Sequence, residues 1–214
     1  MHDLKMPLQL ICSCAQMVQC QLKGREPEAE RYIGMLMENA MEMQRMLLNV
    51  VDFERLNNGM VQLVALPGNM TSCVKEICRR VLPMAENAGI RLTWDVPEDS
   101  IGMLFDAEKI HRILLNLLSN AVRFTPQGGE IQVRLLQMER SVRIVVSDNG
   151  CGIAPEVLEH IFERGVSKGG TGYGLFIALE FARLHGGTLT VHSEVGAGTA
   201  FFLDLPKKPE FCQS

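Results

Sequence analysis

No run of apolar residues in this 214-residue chain approaches the roughly 20 needed to span a bilayer. No leader with a basic start, an apolar middle and a small-residue cleavage site opens it. The segment is therefore expected to make no membrane contact. Positive charge is also scarce: 21 Lys and Arg stand against 25 Asp and Glu, a net charge of −4, which argues against a nucleic-acid-binding surface. The cysteines (Cys12, Cys14, Cys20, Cys73, Cys78, Cys151 and Cys212) include no C-x-x-C pair and no His at metal-ligand spacing, so a structural zinc site is not indicated. An odd count without a secretion signal fits a reducing, cytoplasmic compartment. The G-x-x-x-x-G-K-[ST] phosphate loop is missing too. What is present is a globular composition, 47% hydrophobic and 21% charged, enough for one ordinary domain plus a smaller module. A helical pattern starting directly after Met1 fits a segment of something longer.

Leu4, Leu8, Ile11, Ala15, Val18 and Leu22 alternate in spacings of 4 and 3, a heptad seam. Gly24 to Pro27 interrupts the pattern, and it resumes at Ile33, Leu36, Ala40, Met43, Leu47 and Val50. Two amphipathic helices joined by a short loop form a hairpin, the second about 45 Å long if residues 28–57 are all helical. One hairpin cannot bury both seams well, whereas two in a four-helix bundle can. Residues 1–58 are thus expected to form a homodimer. His2, Asp3 and Met6 face away from the seam, and Pro7 kinks that turn. An exposed His beside a carboxylate suits a reactive imidazole. A solvated His near a frayed helix end fits the same letters.

Asn57-Asn58-Gly59 ends the long helix and opens a second domain over 59–208, with 209–214 as a loose tail after Pro206. Periodicity predicts a strand at 60–66, a helix at 70–88, and strands at 91–96 and 103–105. A helix capped by Asp106 then runs to about Phe124. Strands follow at about 130–137 and 141–147, then a short helix from Pro155 to Phe162. Another helix opens at Gly174 and is closed by Gly186-Gly187, before strands at about 188–193 and 199–205. The fold class read from this order is α plus α/β: a helical hairpin, then a sandwich of a mixed sheet with helices on one face.

Three stretches of the second domain carry chemistry. Asp148-Asn149-Gly150-Cys151-Gly152-Ile153 puts a carboxylate at the end of a strand, followed by glycines whose missing Cβ atoms let backbone approach a ring or a phosphate. Asp148 can accept a hydrogen bond from an exocyclic amine such as that of adenine. Asn-Gly is equally an ordinary turn. On the Asp106-capped helix, Ile110, Ile113, Leu114, Leu117 and Ala121 make the apolar face, and Arg112, Asn116 and Asn120 recur every four residues on another. Asn is a poor mid-helix residue. Two of them one turn apart suit side-chain carbonyls that ligate a hard cation such as Mg2+, with Arg123 beyond them to meet phosphate. An exposed polar stripe is the plainer alternative. Finally, Lys168-Gly169-Gly170-Thr171-Gly172-Tyr173-Gly174 opens an apolar helix, and amides at a helix N-terminus make a ready phosphate site.

Taken in order, these stretches resemble the signature boxes of sensor histidine kinases. His2-Asp-Leu-Lys-Met-Pro-Leu8 resembles the H-box, Asn116-Leu-Leu-Ser-Asn120-Ala-Val-Arg-Phe-Thr125 the N-box, and Asp148–Ile153 the G1 box. Ile161-Phe162 resembles the F-box, and Gly170-Thr-Gly-Tyr-Gly-Leu175 the G2 box. The resemblance spans nearly the whole chain. It implies a dimerisation and phosphotransfer hairpin followed by a Bergerat-type ATP-binding catalytic domain. ATP would give its γ-phosphoryl group to His2, with Asp3 accepting or orienting the imidazole proton, and the group would pass on to an aspartate of a response-regulator receiver domain. Asp148 would receive the adenine amino group, with Thr199 as a water-mediated contact. Asn116 and Asn120 would hold Mg2+, and Arg123 stands where the family often has Lys. Phe124, Gly150, Gly152, Ile153, Phe162, Lys168, Gly170, Thr171, Gly172, Tyr173, Gly174 and Leu175 would complete the nucleotide pocket. The chain would be the cytoplasmic core of a longer sensor, membrane-anchored or not.

Four departures qualify the resemblance. Met6 occupies the position, one turn after His2, where the family usually has a water-orienting Thr or Asn, so phosphatase activity is expected to be weak. The lid from Glu163 to Gly169 is short, which points to modest nucleotide affinity. Tyr173 replaces the usual Leu of the G2 box. His2 lies at the very start, without the helical turns that normally precede it, which points to poor self-phosphorylation by this segment. Gyrase, Hsp90 and MutL-type ATPases share the N-box and G1 pattern but carry a Glu base where this chain has Asn116, and they have no place for the hairpin. A degenerate, non-catalytic ATP-binding dimeric scaffold is the remaining alternative.

Overall fold

The computed structural model describes residues 27–166 and 172–208, together with Ile11, Ala15 and Val18. The chain divides into two compact units, residues 1–60 and 61–214. In the first, Ile11, Ala15 and Val18 are helical, and α1 runs unbroken over Pro27–Asn57. Its heptad pattern separates into two rows. Ile33 and Ala40 are buried, whereas Leu36, Met43 and Val50 are 60%, 56% and 38% exposed. The chain covers one row and leaves the other in water. Arg55 in the last turn complements the carbonyl end of the helix dipole, and Gly59 leaves it at φ 62°.

The second unit is built on a five-stranded sheet of order β2-β4-β5-β7-β6. The strands are β2 (Arg91–Asp95), β4 (Glu130–Gln137), β5 (Ser141–Asp148), β6 (Thr188–Glu194) and β7 (Gly198–Pro206). β2 pairs with β4 in parallel and every other pair is antiparallel, so the sheet is mixed. A smaller ladder joins β1 (Leu66–Asn69) to β3 (Gly102–Phe105). Three helices cover one face of the large sheet: α2 (Met70–Asn87), α3 (Ala107–Phe124) and α5 (Gly174–Leu184). A single turn, α4, spans Pro155–Leu158. Strand alternation sets the core: Ile131, Val133 and Leu135 of β4, Val142, Ile144 and Val146 of β5, and Phe201, Leu203 and Leu205 of β7 are all buried. Ile110, Ile113, Leu114, Leu117 and Ala121 of α3 meet them, as the helical period predicts. The opposite sheet face is mostly polar, with a bidentate Arg143–Asp204 pair at 2.7 and 3.0 Å beside the apolar pair Val145 and Phe202.

Two predicted elements differ from what is observed. Residues 61–65 belong to no ladder, and β1 begins only at Leu66. The Val64 amide, which a ladder would have used, instead donates to the Asp106 carboxylate at 3.0 Å. The predicted helix from Pro155 to Phe162 stops at Leu158. Beyond it the bonds become i→i−3, as in His160 to Val157 and Glu163 to His160, so the chain tightens into turns. Cys73 and Cys78 are buried on α2, where burial pushes their thiols up to about 12 and keeps them protonated.

Candidate functional site

Register places Leu92, Ile131, Asp148, Thr199 and Ser193 on one cross-strand row at the end of the core face. Asp148 is half-buried there. Burial pushes its carboxyl above the usual aspartate value, and hydrogen bonds from the amides of Gly150 and Thr199 act in the opposite direction. Gly150 N–H donates to Oδ1 at 2.9 Å, so the carboxylate is aimed by the loop that follows it.

Ser193, which no sequence motif singles out, is the hub of this row. Its hydroxyl donates to the Gly198 carbonyl at 2.8 Å and accepts from the Ile153 amide at 2.9 Å. Its single proton being used, the 2.9 Å contact with Thr199 Oγ1 has Thr199 as donor. Ser193 thus ties the loop after Asp148 to the strand that bears Thr199. Asn149 anchors the same loop to β4, with Oδ1 accepting the Glu130 amide at 2.7 Å.

The loop glycines answer to protein as well as to any ligand. A Cβ on Gly150 would stand 2.4 Å from the Phe124 carbonyl oxygen, and one on Gly152, at φ 69°, would stand 2.1 Å from that of Glu194. Both glycines therefore let the loop pack on the end of α3 and on the β6–β7 turn. Cys151 N–H donates to that Phe124 carbonyl at 3.2 Å, and Gly196 N–H to the Cys151 carbonyl at 2.9 Å.

α3 touches both halves of the site. Its C-terminal residue Phe124 holds the Asp148 loop, and Asn116, two turns earlier, donates its Nδ2 to the Gly174 carbonyl at 3.0 Å. Asn116 is not part of an exposed polar stripe: it is 3% exposed, drawn in by that bond. The bond uses the amide nitrogen and fixes the amide plane, leaving the carbonyl oxygen as the group able to ligate a cation. Asn120 lies one turn on, half-buried, and Arg123 beyond it is exposed, with its guanidinium 5.5 Å from the Phe124 ring centroid. At the α5 end, Tyr173 is the N-cap and Gly172, Gly174 and Leu175 are half-buried around it. Phe162 reaches the core one row from Asp148, its ring edge-on to Phe201 at 6.4 Å. It also borders an open cavity of about 640 Å3 against the outer side of α5, floored by Phe176 and Leu179. His2, Asp3, Lys168, Gly170 and Thr171 lie outside the described residues.

One half of the site thus offers a fixed carboxylate beside a hydroxyl, suited to an amine on a planar base. The other offers an oriented amide and the N-terminus of α5, suited to anions and the cation they bring. Among the described residues no three His, Cys, Asp or Glu side chains cluster to hold a metal by themselves.

Residues 105–209 match the family described as "Histidine kinase-, DNA gyrase B-, and HSP90-like ATPase". Histidine kinase P4 of Formosa agariphila is 31% identical over 96% of the chain, which spans only 16% of that relative's length. Among solved structures, a mycobacterial sensor histidine kinase, MprB, is 31% identical, with a TM-score of 0.59 over 68% of this chain and 99% of that one. Full-length ShkA in complex with AMPPNP is 27% identical, with a TM-score of 0.71 over 96% of this chain and 44% of that one.

Proposed function

The chain belongs to the sensor histidine kinase family, whose catalytic domain its second unit forms, and we propose that this unit binds ATP with Mg2+ and transfers the γ-phosphoryl group to His2. From His2 the group would pass to an aspartate of a response-regulator receiver domain. The observation that carries the reading is the Asp148 carboxylate, held beside Thr199 and Ser193 at the end of the sheet while α3 links its loop to the Gly174 end of α5. Asp148 would accept the adenine amino group, with Thr199 beside it. Gly150, Gly152 and Ile153 would shape the base pocket, and Phe124, Phe162 and Leu175 its apolar borders. The phosphates would run toward Arg123, Lys168 and the segment Gly170–Gly174, with Tyr173 in it.

Asn116 fits a cation role because its nitrogen is already engaged, and Asn120 lies one turn along the same helix. Mg2+ bound this way would neutralise phosphate charge and leave the γ-phosphorus open to in-line attack. A site with one or two protein oxygens is normal for this ion, which brings its phosphates with it. The neutral His2 imidazole would then form the N–P bond as the bond to the β-phosphate oxygen breaks and ADP leaves. Asp3 would take or orient the proton of the other ring nitrogen. Asn116 where an ATPase of the gyrase type places its base disfavours attack by water. Residues 1–58 would pair as a homodimer through the exposed Leu36–Met43–Val50 row. With Met6 after His2, little phosphatase activity is expected.

The test is equilibrium binding of ATP to the chain and to its Asp148→Asn variant. A hydrogen bond to a charged acceptor is worth about 1.5–3 kcal/mol, so the variant should bind about 10- to 150-fold more weakly. Equal affinity of the two would refute the assignment of Asp148.

A further inference from the structure

At the far end of α5 from the Asn116–Gly174 bond, against the start of α3, lies a buried polar cluster that the proposed reaction does not use. It comprises Asp106, the N-cap of α3, Lys109 one turn on, and His185, the C-cap of α5. Asp106 is 5% and His185 1% exposed. His185 Nδ1 is 2.7 Å from the Phe181 carbonyl, which can only accept, so Nδ1 carries the proton. Nε2 therefore keeps its lone pair and accepts the Asp106 amide at 3.1 Å. The Asp106 carboxylate receives the Lys109 amide at 3.2 Å and Lys109 Nζ at 2.6 Å, and it receives the Val64 amide at 3.0 Å. Val64 belongs to the stretch, outside any ladder, that leads into this unit from α1. One aspartate thus grips the entering segment with its side chain and α5 with its main chain.

We propose that Asp106 and His185 form a latch coupling the entry segment Val61–Ala65 to the setting of α5, and through its Gly174 end to the phosphate side of the site. They are positioning residues, and the proposal rests on the nucleotide reading above. α5 has 11 residues, a rod of about 16 Å, pinned to α3 by Asn116 at one end and His185 at the other. A displacement at one pin is felt at the other because the helix between them is rigid. Two events open the latch. Pulling the entry segment away withdraws the Val64 amide from Asp106. Protonating His185 removes the lone pair that holds the Asp106 amide. The charged groups acting on the ring are both on α3: Asp106 favours its protonation and Lys109 opposes it, while burial, the largest influence, keeps it neutral. The entry segment contributes a neutral amide.

Coupling between two sites is reciprocal, which supplies the test. Hydrogen exchange of the chain is followed with and without Mg2+-ADP, and ADP affinity is measured for the chain, Val64→Pro and His185→Gln. Val64→Pro removes the donated amide and leaves the nucleotide-facing residues alone. Bound ADP should slow exchange at the Val64 and Asp106 amides by about fivefold or more, and Val64→Pro should weaken ADP binding by a similar factor. As pH falls below 6.5, ADP affinity should decline in the chain relative to His185→Gln. ADP binding with exchange at Val64 and Asp106 unchanged, or with Val64→Pro binding as tightly as the parent, overturns the latch and leaves the nucleotide reading standing. Failure of the parent chain to bind ADP overturns both. Should His185→Gln misfold, the exchange data and Val64→Pro decide alone.

Discussion

Asp148 holds a charge where burial opposes it, and that placement separates function from stability. Its folded-state carboxyl is raised above the ordinary 3.8 by desolvation, so the ionised form weakens the fold at every pH above that range. Asn has the same shape and still accepts the Gly150 amide. The Asp148→Asn variant that binds ATP poorly should therefore melt at the same temperature as the parent or higher at pH 7, the usual sign of a residue kept for binding. A lower melting temperature with intact ATP affinity would make Asp148 a structural residue. Asp148 and Asn116 stand out as candidates in the sequence because a carboxylate ending a strand and an Asn inside a helix are both out of place without a reason. Ser193 does not: a Ser in an alternating strand is unremarkable. Its role exists only once β6 pairs with β7 and Ile153, 40 residues away in sequence, comes within 2.9 Å.

Helices and strands of the second unit follow the period of their apolar residues, which is why α2, α3, α5 and the individual strands are legible in the sequence, whereas the division of those strands into a five-stranded sheet and a separate β1–β3 ladder is set by long-range pairing that periodicity does not specify. The entry segment is not legible, because its alternation satisfies a strand while its hydrogen bond goes to a side chain. The Leu184-His185-Gly186-Gly187 end of α5 read only as a helix stop, and the imidazole at its centre is buried. That burial makes a prediction. His185 titrates below 6.5 when folded and near 6.5 when unfolded, so its contribution to stability is complete above pH 6.5 and is lost as pH falls toward the folded value. Urea unfolding of the chain should show falling stability between pH 7 and 5, with a flatter profile in His185→Gln. Parallel profiles would mean that other groups carry the acid sensitivity.

The whole molecule comprises a helical unit, in which Leu36, Met43 and Val50 are exposed, and an α/β unit that carries a two-part candidate site. Leu36, Met43 and Val50 form an exposed apolar row, which the proposed homodimer would cover. Sedimentation of the chain should give twice the 23.8 kDa protomer mass, and Leu36→Glu with Met43→Glu should reduce it to one; a parent that sediments as a monomer would refute the dimer. The proposed division of labour between residues 1–58 and the catalytic unit is tested most directly by incubating the chain with γ-labelled ATP and Mg2+ beside His2→Ala and Asn120→Ala. Acid-labile, base-stable label on the parent, absent from both variants, is the expected result. ATP bound without label on the parent, even when helical turns are added before His2, or label that survives in His2→Ala, would contradict the assignment of this chain as a histidine kinase acting through His2.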